Sequence, residues 1–214
     1  MNLLAEKAYE NSKTGVFAYS DVLVWLGGTR NSVRCRIMRA IDSGEILPIR
    51  RGLYCLAPRY NAAGVSRNLL ANMIYGPSYI SLETALSYHG WIPEAVHSVS
   101  SVSLGRAKTF DTPLGFFDYI QVRQTPLLAG VERIVGRNPA QGSFYMAKPL
   151  KALADTVASR GLDWTGLDPL RESLRIDDDC FERIESVDFD ELDGVYRSAR
   201  ARKFLSGIRK ELGK

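Results

Sequence analysis

Histidine and cysteine are both scarce in this sequence, with two and three copies among 214 residues. Cys35, Cys55 and Cys180 share no metal-ligand spacing and no pairing pattern. That argues against a zinc module or a disulfide scaffold and suits a reducing cytosol. His89 and His97 have no partner at ligand spacing, so structural roles suit them better than metal binding. No run of ~18 apolar residues occurs, and no basic stretch with an apolar core opens the chain. A soluble, cytoplasmic protein with no membrane partner is expected. A phosphate-cradling loop is also missing, because Gly130-Val-Glu-Arg-Ile-Val-Gly136 lacks the closing lysine and Ser/Thr. No Gly-x-Ser-x-Gly elbow occurs. Asp177, Asp178 and Asp179 read as helix-capping acids, since a metal cluster needs acids converging from separate elements. No catalytic residue, metal ligand or cofactor is assigned.

What is present is segregated charge. The net charge is only +4. Residues 163–193 hold twelve acids and three arginines, while residues 196–214 hold seven basic residues and one acid. Such a split suggests two different partners, an internal acid–base docking, or two solvated helices of opposite sign. Between residues 30 and 59 stand seven arginines and two acids, a net +5.

That basic segment has an order. Ser20 is a suitable N-cap, with Asp21 in the first turn where the helix dipole favours an acid. Val22, Leu23, Trp25 and Leu26 give a short helix its apolar surface. Gly27 and Gly28 then supply a turn. Thr29 caps a second helix over about residues 30–42, on which Val33, Ile37, Ala40 and Ile41 share one face. Asn31, Ser32, Cys35 and Arg39 fall on the opposite face, flanked by Arg34 and Arg36. Ile46–Arg50 and Leu53–Leu56 read as two short strands joined at Arg51-Gly52. Helix, glycine turn, arginine-rich helix and basic hairpin are the layout of a winged helix-turn-helix. An arginine-rich face is usually only a solvated surface. Here the charge is concentrated on the two elements that would touch DNA. The expected DNA-binding residues are Thr29, Arg30, Asn31, Ser32, Arg34, Arg36, Arg39, Arg50 and Arg51. Arginine forks read guanine edges or grip phosphates, and asparagine reads adenine.

Around this unit the pattern predicts a first helix from Leu3 and a linker over Pro58–Gly64. Helices follow over about 65–75 and 81–89. A strand is expected over 96–104, with further strands at 109–110, 116–122 and 143–146 and turns at 111–113 and Gly115. Helices are expected over 150–159 and after Asp168 and Asp177, with a last one from Phe189 to Leu212, broken near Gly194 and Gly207. The fold class expected is α+β: residues 1–60 form the winged helix-turn-helix, and residues 61–214 a mixed α/β domain with a helical tail.

The stretch Tyr79-Ile-Ser-Leu-Glu-Thr-Ala-Leu-Ser-Tyr-His-Gly-Trp-Ile-Pro-Glu94 resembles the AbiEi antitoxin family of abortive infection systems. So do Ser98-Val-Ser-Ser-Val-Ser-Leu-Gly-Arg106 and Phe110-Asp-Thr-Pro-Leu-Gly-Phe-Phe-Asp-Tyr119. Ala147-Lys-Pro-Leu-Lys-Ala-Leu-Ala-Asp155 is similar to that family's helix opening, with Leu150 where a glutamate is usual. The likeness covers about residues 10–160. It implies a transcriptional autorepressor and antitoxin whose larger C-terminal domain counters a nucleotidyltransferase-like toxin. The partners implied are double-stranded operator DNA and such a toxin. Separately, a homodimer formed through the second domain would tether two heads and raise their effective concentration on DNA. Two other readings stay open. One is a DNA-processing nuclease targeted by the winged helix, for which Asp118-Tyr-Ile-Gln-Val-Arg123 offers a strand and one acid. The other is a ligand-sensing repressor with no toxin.

Overall fold

In a computed structural model describing residues 2–61, 64–94 and 96–214, the chain opens on α1 (Leu3–Asn11). Asn2 caps it, its side-chain oxygen accepting the Ala5 N–H at 3.0 Å. β1 (Val16–Ala18) runs directly into α2 (Tyr19–Leu26), so the cap position is Ala18 and not Ser20 as the sequence suggested. Alanine has no acceptor side chain. The Asp21 carboxylate instead reaches back to the Ala18 N–H at 2.7 Å, one half of a capping box. Gly27 and Gly28 follow at φ 58° and 86°, backbone angles that disfavour any side chain. Thr29 caps α3 (Arg30–Asp42) by accepting the Ser32 N–H at 3.2 Å.

β2 (Ile46–Arg50) and β3 (Leu53–Leu56) form an antiparallel hairpin, and β1 joins its other side to give the order β1-β3-β2. Pro48 is tolerated because β2 is an edge strand, and the register slips between Pro48 and Arg50. The core here joins Leu4, Ala8, Phe17, Val22, Val33, Ile37, Ile46 and Leu56. Each α3 residue in it sits on the face the 3.6-residue period selects. Phe17 stacks against Trp25 and Tyr54 at centroid distances of 5.5 and 6.0 Å.

A 3₁₀ turn covers Pro58–Tyr60, and α4 spans Arg67–Ile74. The linker expected over Pro58–Gly64 includes Ala62 and Ala63, which lie outside the described residues. The chain divides into two compact units. The first is Met1–Ile74 with Phe110–Phe116 and Val135–Phe144; the second is Tyr75–Thr109, Phe117–Ile134 and Tyr145–Lys214.

The second sheet has six strands: β4 (Ser78–Ile80), β5 (Val99–Ser103), β6 (Lys108–Thr112), β7 (Gly115–Gln121), β8 (Val131–Val135) and β9 (Ser143–Ala147). Their order is β6-β7-β5-β4-β9-β8. β4 pairs antiparallel with β5 and parallel with β9, while β5 and β7 are parallel. α5 (Leu82–Tyr88) follows β4, and α6 (Pro149–Arg160) follows β9. Four more helices complete the chain: α7 (Asp168–Leu174), α8 (Asp178–Glu182), α9 (Ser186–Glu191) and α10 (Ala199–Glu211). The fold is thus mixed α+β, with ten α-helices and two sheets among the described residues.

Several expectations shift. β1, β4 and β8 were not foreseen; β1 and β4 have three residues each, too few for a period-2 pattern to register. β5 begins at Val99, leaving His97 outside the strand. β6 runs on through Thr112, so its turn comes later than expected. The last segment is two helices, α9 and α10, separated at residues 192–198; the break expected near Gly194 is there, that residue taking φ 66°. Gly207 does not break α10. A Cβ there would run into the Trp164 indole, so the glycine allows the ring to pack on the helix. The opposed charge blocks pair internally, Arg200 with Asp163 and Arg209 with Asp190, each at 3.0 Å. No helix among the described residues is long and apolar enough to cross a membrane.

Candidate nucleic-acid interface

α3 carries Arg30, Arg34, Arg36 and Arg39, all exposed, against a single acid at its C-terminal end, Asp42. Among the described residues none of these four guanidinium groups has an acidic partner. Burial of Val33, Ile37 and Ala40 against the core fixes which side of α3 meets solvent. Asn31 and Arg34 are exposed there, as is Cys35. Free guanidinium groups held on a rigid helix can neutralise phosphates or fork onto base edges without first breaking an ion pair.

The other expected residues divide by how they are held. Thr29 and Ser32 are engaged in capping, since Thr29 accepts the Ser32 N–H and Ser32 Oγ donates to the Thr29 carbonyl at 2.9 Å. The Arg50 guanidinium folds back, donating to the carbonyls of Arg51 at 3.0 Å and Met73 at 3.3 Å. Arg51 stays exposed beside the hairpin turn. Arg59 donates to the Ser43 carbonyl at 2.9 Å and lies over the Tyr60 ring, so it ties the segment after the hairpin to the end of α3.

A groove of about 670 Å³ lies between α3 and the hairpin, lined by Arg34, Ile37, Met38, Ile41, Arg51 and Tyr54 among others. Met38 is 51% exposed within it. Sequence reasoning passed over Met38; its place four residues after Arg34, on the same side of the helix, was the available signal.

The second unit contains a different constellation that sequence reasoning missed. α6 is buried along Leu150–Val157, including Lys151 and Asp155. The two charged groups are 3.3 Å apart. Asp155 accepts hydrogen bonds from Tyr79 at 2.8 Å, Ser81 at 2.7 Å and Tyr196 at 2.7 Å. Lys151 donates to Gln124 and, at 2.9 Å, to Tyr196. Gln124 donates to the Tyr79 hydroxyl. Burial lowers the Lys151 pKa despite the pull of Asp155. Burial, then Asp155, pushes the Tyr79 and Tyr196 hydroxyls well above their usual range. Every member is closed off from solvent, so the network locks β4, the segment at Gln124, α6 and the stretch before α10 together.

A pocket of about 490 Å³ is lined by Glu83, Lys108, Asp118 and Arg160 among others. Glu83 pairs with Arg160, and Thr109 donates to Asp118 at 2.8 Å. His89 Nε2 lies 3.0 Å from the Ala147 carbonyl and 3.6 Å from Glu132. No group of three or more His, Cys, Asp or Glu placed to hold a metal occurs among the described residues. In comparisons with known proteins, no family model and no curated protein matches the chain.

Proposed function

We propose that the chain is a DNA-binding transcriptional regulator whose N-terminal part is a winged helix-turn-helix. α3 enters the major groove of double-stranded operator DNA, and the β2–β3 hairpin is the wing. One observation carries this reading: four exposed arginines without acidic partners among the described residues stand on α3, directly after a two-glycine turn and beside the exposed Arg51. Asn31 and Arg34 face the base edges; Arg30, Arg36, Arg39, Arg50 and Arg51 grip phosphates; Thr29 and Ser32 set the start of the helix.

The second half of the proposal is that the protein is the antitoxin of a toxin–antitoxin pair, repressing its own operon and countering a nucleotidyltransferase-like toxin from the cytoplasm. Its support is the resemblance of Tyr79–Glu94 and Ser98–Arg106 to the AbiEi family. Two measurements test the two halves. Full-length protein should shift its own upstream DNA in preference to scrambled duplex. Co-expression with an adjacent nucleotidyltransferase-like gene should restore growth. Equal affinity for scrambled and upstream duplex would defeat the first half, and growth arrest unrelieved by the chain would defeat the second.

A nuclease is the second reading, favoured by the gathering of Asp118, Glu83 and Lys108 around one pocket. Metal-dependent cleavage of DNA that is lost on Asp118→Asn would establish it. Intact DNA with magnesium or manganese would retire it.

A further inference from the structure

We infer that the groove between α3 and the hairpin reads a thymine methyl group through Met38, next to a guanine read by Arg34. This deepens the DNA-binding reading above and rests on it.

The groove has two characters at once. Arg34 and Arg51 supply cationic groups, which suit an anionic strand. Between them the lining is apolar: Ile37 is buried, Ile41 and Tyr54 are half-buried, and Met38 is half-exposed. A site that gripped phosphate alone would gain nothing from an apolar lining. A sugar–phosphate strand with one apolar base substituent satisfies both. In duplex DNA the only apolar group on the major-groove edge is the C5-methyl of thymine.

Met38 suits that contact. Its side chain is long, unbranched and polarisable, so it conforms to a methyl group without a fixed rotamer. Its neighbours on the exposed side of α3 are charged or polar apart from Cys35, so the thioether is the largest apolar surface that face offers. Spacing adds a constraint. Residues four apart on a helix are separated by about 6 Å along its axis, under two base-pair steps of about 3.4 Å. The guanine and thymine should therefore stand within two steps of each other.

The test uses the full-length chain and a pool of duplexes with a randomised core. Selected duplexes are resynthesised with uracil replacing thymine one position at a time, which removes only the methyl group. Affinities of wild type, Met38→Ala and Met38→Gln are compared by fluorescence anisotropy at fixed salt, with folding checked by circular dichroism. In wild type, one uracil position should weaken binding about fourfold, the factor one buried methyl carries. Both variants should bind the thymine and uracil duplexes alike. Replacing a guanine within two steps by 7-deazaguanine should weaken wild type but not Arg34→Ala. Wild type indifferent to every uracil, or Met38 variants that keep the full discrimination, would overturn the inference while leaving DNA binding intact. Selection without enrichment would overturn it too. Absence of any duplex binding at low salt would remove the DNA-binding reading and this inference together.

Discussion

Lys151 and Asp155 lie one turn apart on α6, 3.3 Å between ammonium and carboxylate, and neither side chain reaches solvent. Desolvation of such a pair is offset only while both charges and their hydrogen bonds are kept. Asp155→Ala leaves a buried ammonium without its counter-charge and should cost about 3–5 kcal/mol. Replacing both, Lys151→Met with Asp155→Leu, leaves no lone buried charge and should lose less than Asp155→Ala, the remaining loss coming from the Tyr79, Ser81 and Tyr196 hydroxyls left without their acceptor. Urea unfolding followed by circular dichroism measures each. A cost below about 1 kcal/mol for Asp155→Ala would place the pair among surface ion pairs.

The two hairpin arginines should behave differently on DNA. Arg50 is bonded to the carbonyls of Arg51 and Met73, whereas Arg51 is exposed in the α3–hairpin groove. Each phosphate contact removed should flatten the dependence of log affinity on log salt by about 0.9. Arg51→Ala is expected to flatten it by that amount and Arg50→Ala by less. Titrations from 50 to 200 mM salt decide it, and equal slopes for both variants would contradict the geometry.

Within α3, Asn31→Ala or Arg34→Ala should cost ~1–3 kcal/mol at one operator position and relax preference there. Arg36→Ala, on the flank, should weaken all sequences alike. Binding to a panel of single-position operator variants separates the two patterns. A uniform loss for Arg34→Ala would move it from base reading to phosphate contact.

Alkaline pH should destabilise the fold. Burial raises the Cys55 thiol from 9.0 to about 12. The folded chain then holds a proton that the unfolded chain loses. Because the folded pKa is the higher one, its contribution is complete below pH 9 and is lost as pH rises to about 12. Over that window the group removes up to about 1.4 kcal/mol per pH unit. Tyr79 and Tyr196, also raised, act in the same direction above pH 10, while Lys151, lowered, opposes them. Thermal melts from pH 7 to 10.5 should show a decline that is shallower between pH 9 and 10 in Cys55→Ala. An unchanged slope in that variant would assign the effect elsewhere.

Gly207→Ala should destabilise although alanine favours helices by about 1 kcal/mol. The added methyl would run into the Trp164 indole, which packs edge-on against Phe204 at 5.4 Å. A lowered Tm with a shifted tryptophan emission is expected. A raised Tm would mean that the ring moves aside freely.

Most of the first unit's elements were legible because their signals are local. Thr29, the two glycines, the period of Val33, Ile37 and Ala40, and the hairpin residues each act within a few positions of where they stand. Ser20 misled because the choice of cap depended on β1 pairing with β3 at Val16–Cys55, a contact across 39 positions that no helix signal carries. The split between α9 and α10 was half visible in Gly194. The persistence of α10 through Gly207 was not, since Trp164 stands far away in sequence.

The sequence by itself determined that an arginine-bearing helix follows a glycine turn and precedes a basic hairpin, because caps, turns and helical period are properties of neighbouring residues. It also set Lys151 and Asp155 four apart, a spacing that reads equally as a solvent-exposed ion pair. Only the tertiary structure decided that this pair is buried, since the groups that satisfy it, Tyr79 and Tyr196, arrive from 76 and 41 positions away from Asp155. The groove at Met38 was decided in the same way. An exposed methionine acquires a specific environment only when the hairpin brings Arg51 and Tyr54 alongside α3.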